Sequence, residues 1–136
     1  MTIRYLLDTS VFSQPLRNRP VMAALLRWKS AGDAACATCA TVVAEIEFGL
    51  HLENREERWA KYRALIEERL DVLETDRSVW ERFSRLKARQ QILGAPIADL
   101  DLVIAACALQ QGLIVATLKT KDFSRIEGLA WEDWSR

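Results

Sequence analysis

Hydrophobic positions along the chain change period several times, and each change marks an element. Residues 3–7 form a short apolar run closed by Asp8-Thr9-Ser10, which predicts a buried strand ending in a polar turn. Pro20 opens a helical stretch over 20–30 that Gly32-Asp33 ends, with the proline at a first-turn position. The small residues of 34–40 predict a second central strand. From Thr41 the period is helical, with Val42, Val43, Ile46 and Leu50 on one stripe. Asn54 with Glu57 resembles a capping box and predicts a further helix through Trp59, Tyr62, Ile66 and Leu70. Residues 71–75 read as an edge strand. Asp76 caps a long amphipathic helix through Val79, Phe83, Leu86, Gln90 and Leu93, closed by Gly94 and Pro96.

The segment 99–111 is apolar nearly all round after its first turn, so it predicts a buried helix, stopped by Gly112. Residues 113–117 read as a parallel-sheet strand, 122–126 as a short helical turn, and 129–134 as a last short strand. Strands alternating with helices, without repeats or linkers, predict an α/β fold: a three-layer α/β/α sandwich around a parallel sheet of four to five strands. A chain of 136 residues is room for one domain, 1–136, and at that size about 68% of the unfolded surface is hidden on folding.

Composition narrows the function classes. Half the residues are apolar and Gly plus Pro number only eight, which excludes a disordered or low-complexity chain. The longest apolar run, 102–109, is far short of the ~20 residues of a membrane-spanning helix. Tyr5-Leu6-Leu7 is stopped by Asp8, too soon for a signal-peptide core. Nineteen basic residues balance nineteen acidic ones, so any nucleic acid must be held by local patches and not by overall charge. An odd count of three cysteines suits a reduced, cytoplasmic protein.

The acids then become the points of interest. Ligands in open α/β sheets bind at the carboxyl ends of strands, and Asp8 follows the first strand directly. It reads either as a site carboxylate or as a turn residue capping Ser10 or Val11. Asp99 reads as the N-cap of its helix, which leaves Asp101 in the first turn, sharing a face with Ile104, Ala105 and Ala108. Glu45 and Glu47 lie about 200° apart around one helix, so they cannot serve one site together. Glu45 has Gly49 one turn on, which leaves space beside its carboxylate; Glu47 reads as solvated.

The stretches Leu6-Leu7-Asp8-Thr9-Ser10, Val43-Ala44-Glu45-Ile46-Glu47-Phe48-Gly49 and Asp101-Leu102-Val103-Ile104-Ala105-Ala106-Cys107-Ala108 resemble the acidic signatures of PIN-domain nucleases. More narrowly, they resemble those of the VapC toxins of toxin–antitoxin pairs. Gly112-Leu113-Ile114-Val115-Ala116-Thr117, Asp122-Phe123 and Gly128-Leu129 through Trp134 are similar to that family's ending, so the likeness runs along the whole chain. The resemblance implies a single PIN domain acting as an endoribonuclease. Asp8, Glu45 and Asp101 would bind Mg²⁺, with Mn²⁺ as a substitute, and Asp122 would be a fourth catalytic acid. It further implies a small cognate antitoxin, an RNA substrate, a homodimer or larger toxin–antitoxin assembly, and no membrane. One position departs from the family pattern: Lys119 stands where an Asn or Asp is common, so the fourth acid is lost or displaced to Asp122.

Independent chemistry agrees with such a site. Magnesium prefers oxygen ligands and keeps several waters, so two or three carboxylates plus a substrate phosphate suffice. His51 is the only histidine, which excludes a two-imidazole ribonuclease. Lys119, Lys121 and Arg125 follow the strand whose end should lie at the site and are candidate RNA phosphate contacts. Cys36 and Cys39 have the spacing of half a zinc site, but strand side chains at that separation point to opposite faces. The rival readings are a non-catalytic PIN-like binding module and a nuclease directed at DNA.

Overall fold

The computed structural model describes residues 2–136. At its centre is strand β1 (Tyr5–Leu7), whose two neighbours run parallel to it. On one side lie β2 (Cys36–Cys39) and β3 (Asp71–Leu73), on the other β4 (Ile114–Thr117) and β5 (Trp131–Asp133). The order is thus β3-β2-β1-β4-β5, parallel throughout. Register pairs Leu6 with Ala37 on one side and with Val115 on the other. The chain first winds outward from β1 to β3 and then returns to the far side of β1. That reversal opens a crevice at the carboxyl ends of β1 and β4.

Helices α1 (Thr9–Phe12), α2 (Met22–Ala31), α3 (Ala40–Glu53), α4 (Glu56–Glu68), α5 (Arg77–Ile92), α6 (Asp99–Gln111) and α7 (Thr120–Phe123) connect and flank the strands, completing the expected α/β/α sandwich. Leu6, Leu7, Val11 and Phe12 are fully buried at its heart, and every residue of α6 from Asp101 to Ala108 is buried. That is why this helix lacks a polar face. The amphipathic α5 packs beside it and buries Val79 and Gln90, the latter donating to the Ala95 carbonyl at 2.9 Å. Asp76 caps α5 as expected, accepting from the Val79 amide at 3.1 Å.

Several local readings change. Pro20 lies outside α2, which begins at Met22 with Val21 in the N-cap position, so it is not a first-turn residue. Asn54 does not open α4; it closes α3 in the left-handed region at φ 52°, where its amide donates to the Leu50 carbonyl. A short polar side chain tolerates that conformation better than other non-glycine residues, so the local signal was a stop and not a start. Asp99 is the first residue within α6, and Ala98 takes the N-cap position. The helical turn after β4 begins at Thr120, two residues earlier than expected. Among the described residues no helix is long and apolar enough to cross a membrane.

Candidate acidic site at the carboxyl edge of the sheet

Asp8 leaves β1 in an extended conformation and caps α1. Its Oδ1 accepts from the Val11 amide at 3.0 Å and from Ser10 Oγ at 2.7 Å, while Oδ2 accepts from Thr117 Oγ1 at 2.6 Å. The capping reading and the site reading therefore both describe the same carboxylate. Only 1% of Asp8 is exposed, and burial holds its carboxyl above the ordinary range although the hydrogen bonds and Lys119 pull it down.

Each hydroxyl that donates to Asp8 also accepts from the chain beyond β4. Ser10 Oγ takes the Leu118 amide at 2.9 Å, and Thr117 Oγ1 takes the Lys119 amide at 2.7 Å. The turn that follows β4 is thus tied to the turn that follows β1. Nothing in the hydrophobic pattern announces these links, because they join positions 108 and 109 residues apart.

Glu45 lies on the half-buried side of α3, where Thr9 Oγ1 donates to its Oε1 at 2.7 Å. Asp101, in the first turn of α6, is 7% exposed. Burial raises its carboxyl above the ordinary range; Lys119 pulls it down, and Asp8, Glu45 and Asp122 push it up further. The four acids therefore share one electrostatic neighbourhood. Lys119 enters it, with Nζ 3.9 Å from Asp101 Oδ2. Asp122 on α7 is ion-paired with Arg125 at 2.6 Å, and Arg125 also reaches the Pro96 carbonyl at 3.4 Å. Lys121 is exposed.

Glu47 is a correction. It is half-buried and accepts from the Tyr62 hydroxyl at 2.6 Å, joining α3 to α4 on the side away from Glu45, where it was expected to be solvated. Beside Glu45 a shallow cleft of about 320 Å³ is lined by Ala44, Phe48 and Leu100, with Phe48 well exposed. A larger hollow near Arg4, Tyr5, Arg27 and Trp134 lies at the amino-terminal edge of the strands, away from the acids. Cys36, Cys39 and Cys107 are free thiols in the core. Among the described residues no three His, Cys, Asp or Glu side chains close into a ready-made metal cage. The donors that the site does offer are all carboxylate oxygens, two of them buried and raised, and that is a set a hard divalent cation would relieve.

Comparison with known proteins follows the same lines. The family model described as PIN domain matches residues 5–129. The chain is 28% identical over 133 residues to the tRNA(fMet)-specific endonuclease VapC of Shigella flexneri, covering 98% of this chain and 99% of that protein. It is 30% identical over 135 residues to ribonuclease VapC2 of Haemophilus influenzae, covering 97% and 98%. Among solved structures, DNA-bound VapBC from Salmonella typhimurium superposes with a TM-score of 0.83 at 26% identity, covering 97% of this chain and 98% of that one.

Proposed function

Since this chain belongs to the PIN-domain family and, within it, to the VapC ribonucleases, we propose that it is a metal-dependent endoribonuclease, the toxin of a toxin–antitoxin pair. The observation that carries this reading is the meeting of Asp8, Glu45 and Asp101 at the carboxyl edge of β1 and β4, with two of the three buried. Burying a carboxylate costs several kcal/mol unless it is paired, and the cation that Asp101 has, Lys119 at 3.9 Å, is half in water, which leaves the group open to a further cation.

In this reading Asp8, Glu45 and Asp101 hold the cation, Mg²⁺ with Mn²⁺ as a substitute, and Asp122 is a fourth acid at the rim. The cation, when bound, supplies positive charge against the phosphodiester and acidifies water. The rest falls to the chain's own side chains. Ser10, Thr117 and the Val11 amide fix both oxygens of Asp8 before any ligand arrives. Thr9 orients Glu45. Lys119 and Lys121 face incoming phosphates, and Arg125 does so at the cost of its pairing with Asp122. Positioned donors and acceptors of this kind lower the barrier because they need no rearrangement as charge develops.

Partners follow from the same family. The structural neighbours are toxin–antitoxin complexes, and we assign to this chain a cognate antitoxin, an RNA substrate and a homodimer or larger assembly. Helices α4 and α5 expose arginines together with Trp80, residue types enriched at interface hot spots, and are the surface proposed for that assembly. The three free buried thiols suit a reducing compartment, so the reading places the protein in the cytoplasm.

The test offers purified protein RNA and single-stranded DNA side by side, with Mg²⁺ and with EDTA. RNA cleavage that requires the metal and is lost in Asp8→Asn supports the assignment. Cleavage unaffected by EDTA, or retained in the variant, overturns it.

A further inference from the structure

The turn after β4 carries a positive charge into a group of acids. Lys119 Nζ stands 3.9 Å from Asp101 Oδ2, the lysine side chain 54% exposed and the aspartate side chain 9%. The ammonium therefore covers a buried carboxylate from the solvent side. Its backbone is anchored as well: the Lys119 amide donates to Thr117 Oγ1 and the neighbouring Leu118 amide to Ser10 Oγ, the two hydroxyls that also hold Asp8. The root of this lysine is thus fixed by the acid group itself. The other cation of the turn that meets an acid, Arg125, is committed to Asp122.

We propose that Lys119 is a built-in cation of the acidic site, which neutralises Asp101 until a divalent ion displaces it and so limits the chain to one tightly held ion. The inference rests on the metal-binding reading above and says how many ions that site takes. Charge counting agrees: four carboxylates, Asp8, Glu45, Asp101 and Asp122, against the Lys119 ammonium and the Arg125 guanidinium leave two negative charges, which one divalent ion balances. An entering ion must compete with the ammonium for Asp101 Oδ2, and its binding is weakened by the mutual repulsion. Once displaced, the ammonium stays at the mouth of the site on a pinned backbone, at the place where a phosphate arrives.

The experiment is a Mn²⁺ titration of the metal-stripped protein followed by paramagnetic resonance of the free ion, which reads affinity and stoichiometry without RNA. Wild type should take up one Mn²⁺ per chain. Lys119→Met removes the charge without adding an oxygen ligand and should tighten that uptake about tenfold, because the ion no longer competes with an ammonium 3.9 Å from Asp101 Oδ2, an effect reduced by the half-exposure of the lysine. Lys119→Arg keeps the charge and should stay near wild type. Equal midpoints for wild type and Lys119→Met, or two tight ions in wild type, would overturn the role given to the lysine. No uptake by any of these chains would overturn the metal reading beneath it, a separate failure.

Discussion

Thr117 offers the sharpest test of how the acid group is assembled. Its side chain is fully buried, donates to Asp8 Oδ2 at 2.6 Å and accepts from the Lys119 amide at 2.7 Å. Thr117→Val keeps the shape and removes both bonds. A hydrogen bond to a charged group contributes about 1.5–3 kcal/mol, and an amide left without its acceptor costs about 1 kcal/mol more. The added methyl group returns up to about 1 kcal/mol of apolar burial. The net loss is then about 1.5–3 kcal/mol, a large fraction of the ~5–15 kcal/mol that holds a domain together. For a chain of this length that corresponds to a fall in Tm of roughly 5–10 °C.

The assay is urea unfolding of the metal-stripped protein at neutral pH, read as a shift in midpoint at constant slope. Thr117→Ser retains the hydroxyl and should lose less. A cycle with Asp8→Asn locates the effect: if the bond carries the loss, the two substitutions couple by about 1 kcal/mol or more. The loss should also shrink in acid, because a protonated Asp8 no longer needs the donor. A Thr117→Val protein within about 0.5 kcal/mol of wild type, with no coupling to Asp8, would refute the idea that this hydroxyl organises the site.

Other outcomes follow from the same geometry. Burial outweighs the pull of Lys119 at Asp101, and the neighbouring acids add to it, so the folded chain holds this proton more tightly than the unfolded one. Stability should therefore fall as pH rises from the ordinary 3.8 through the raised folded value, and Asp101→Asn should melt at or above wild type at pH 7 without metal while losing RNA cleavage; a markedly lower Tm refutes the electrostatic account. If the proposed pairing holds, co-expression with a cognate antitoxin should give a complex without nuclease activity, checked by cleavage of bulk RNA before and after the partner is removed. A complex that cuts at the full rate contradicts the inhibitory pairing.

The acids and the strands that carry them were legible because both signals are local. Residues 3–7 and 113–117 are apolar runs ended by polar residues, and the carboxyl ends of such runs must meet in a parallel sheet. Asp76 with its amphipathic helix was legible for the same reason. Asn54 was misread because an asparagine suits a helix start and a left-handed stop alike, and only the backbone distinguishes them. Glu47 was misread because its partner, Tyr62, lies on the next helix. Thr9, Ser10 and Thr117 were passed over for a deeper reason. Their hydroxyls have no periodicity to betray them, and their value lies in contacts across 36 to 109 positions that the fold alone creates.

Those contacts also explain why the two buried acids behave differently. Asp8 has three donors on its two oxygens, so its orientation is set by hydrogen bonds. Asp101 has a lysine at 3.9 Å, an electrostatic partner that an ion can displace without breaking the backbone. If the proposed metal site is right, the pair divides the labour of a site that must be both rigid and exchangeable. In the proposed reading Asp8 provides the fixed wall, because its donors come from the turn after β1 and from the end of β4. Asp101 provides the exchangeable contact, because its raised carboxyl gains from any added positive charge and its partner is half in water. Ions that bind only the folded chain stabilise it by mass action, so on the proposed reading the charge that costs stability in the stripped protein is the charge from which a bound metal would recover it.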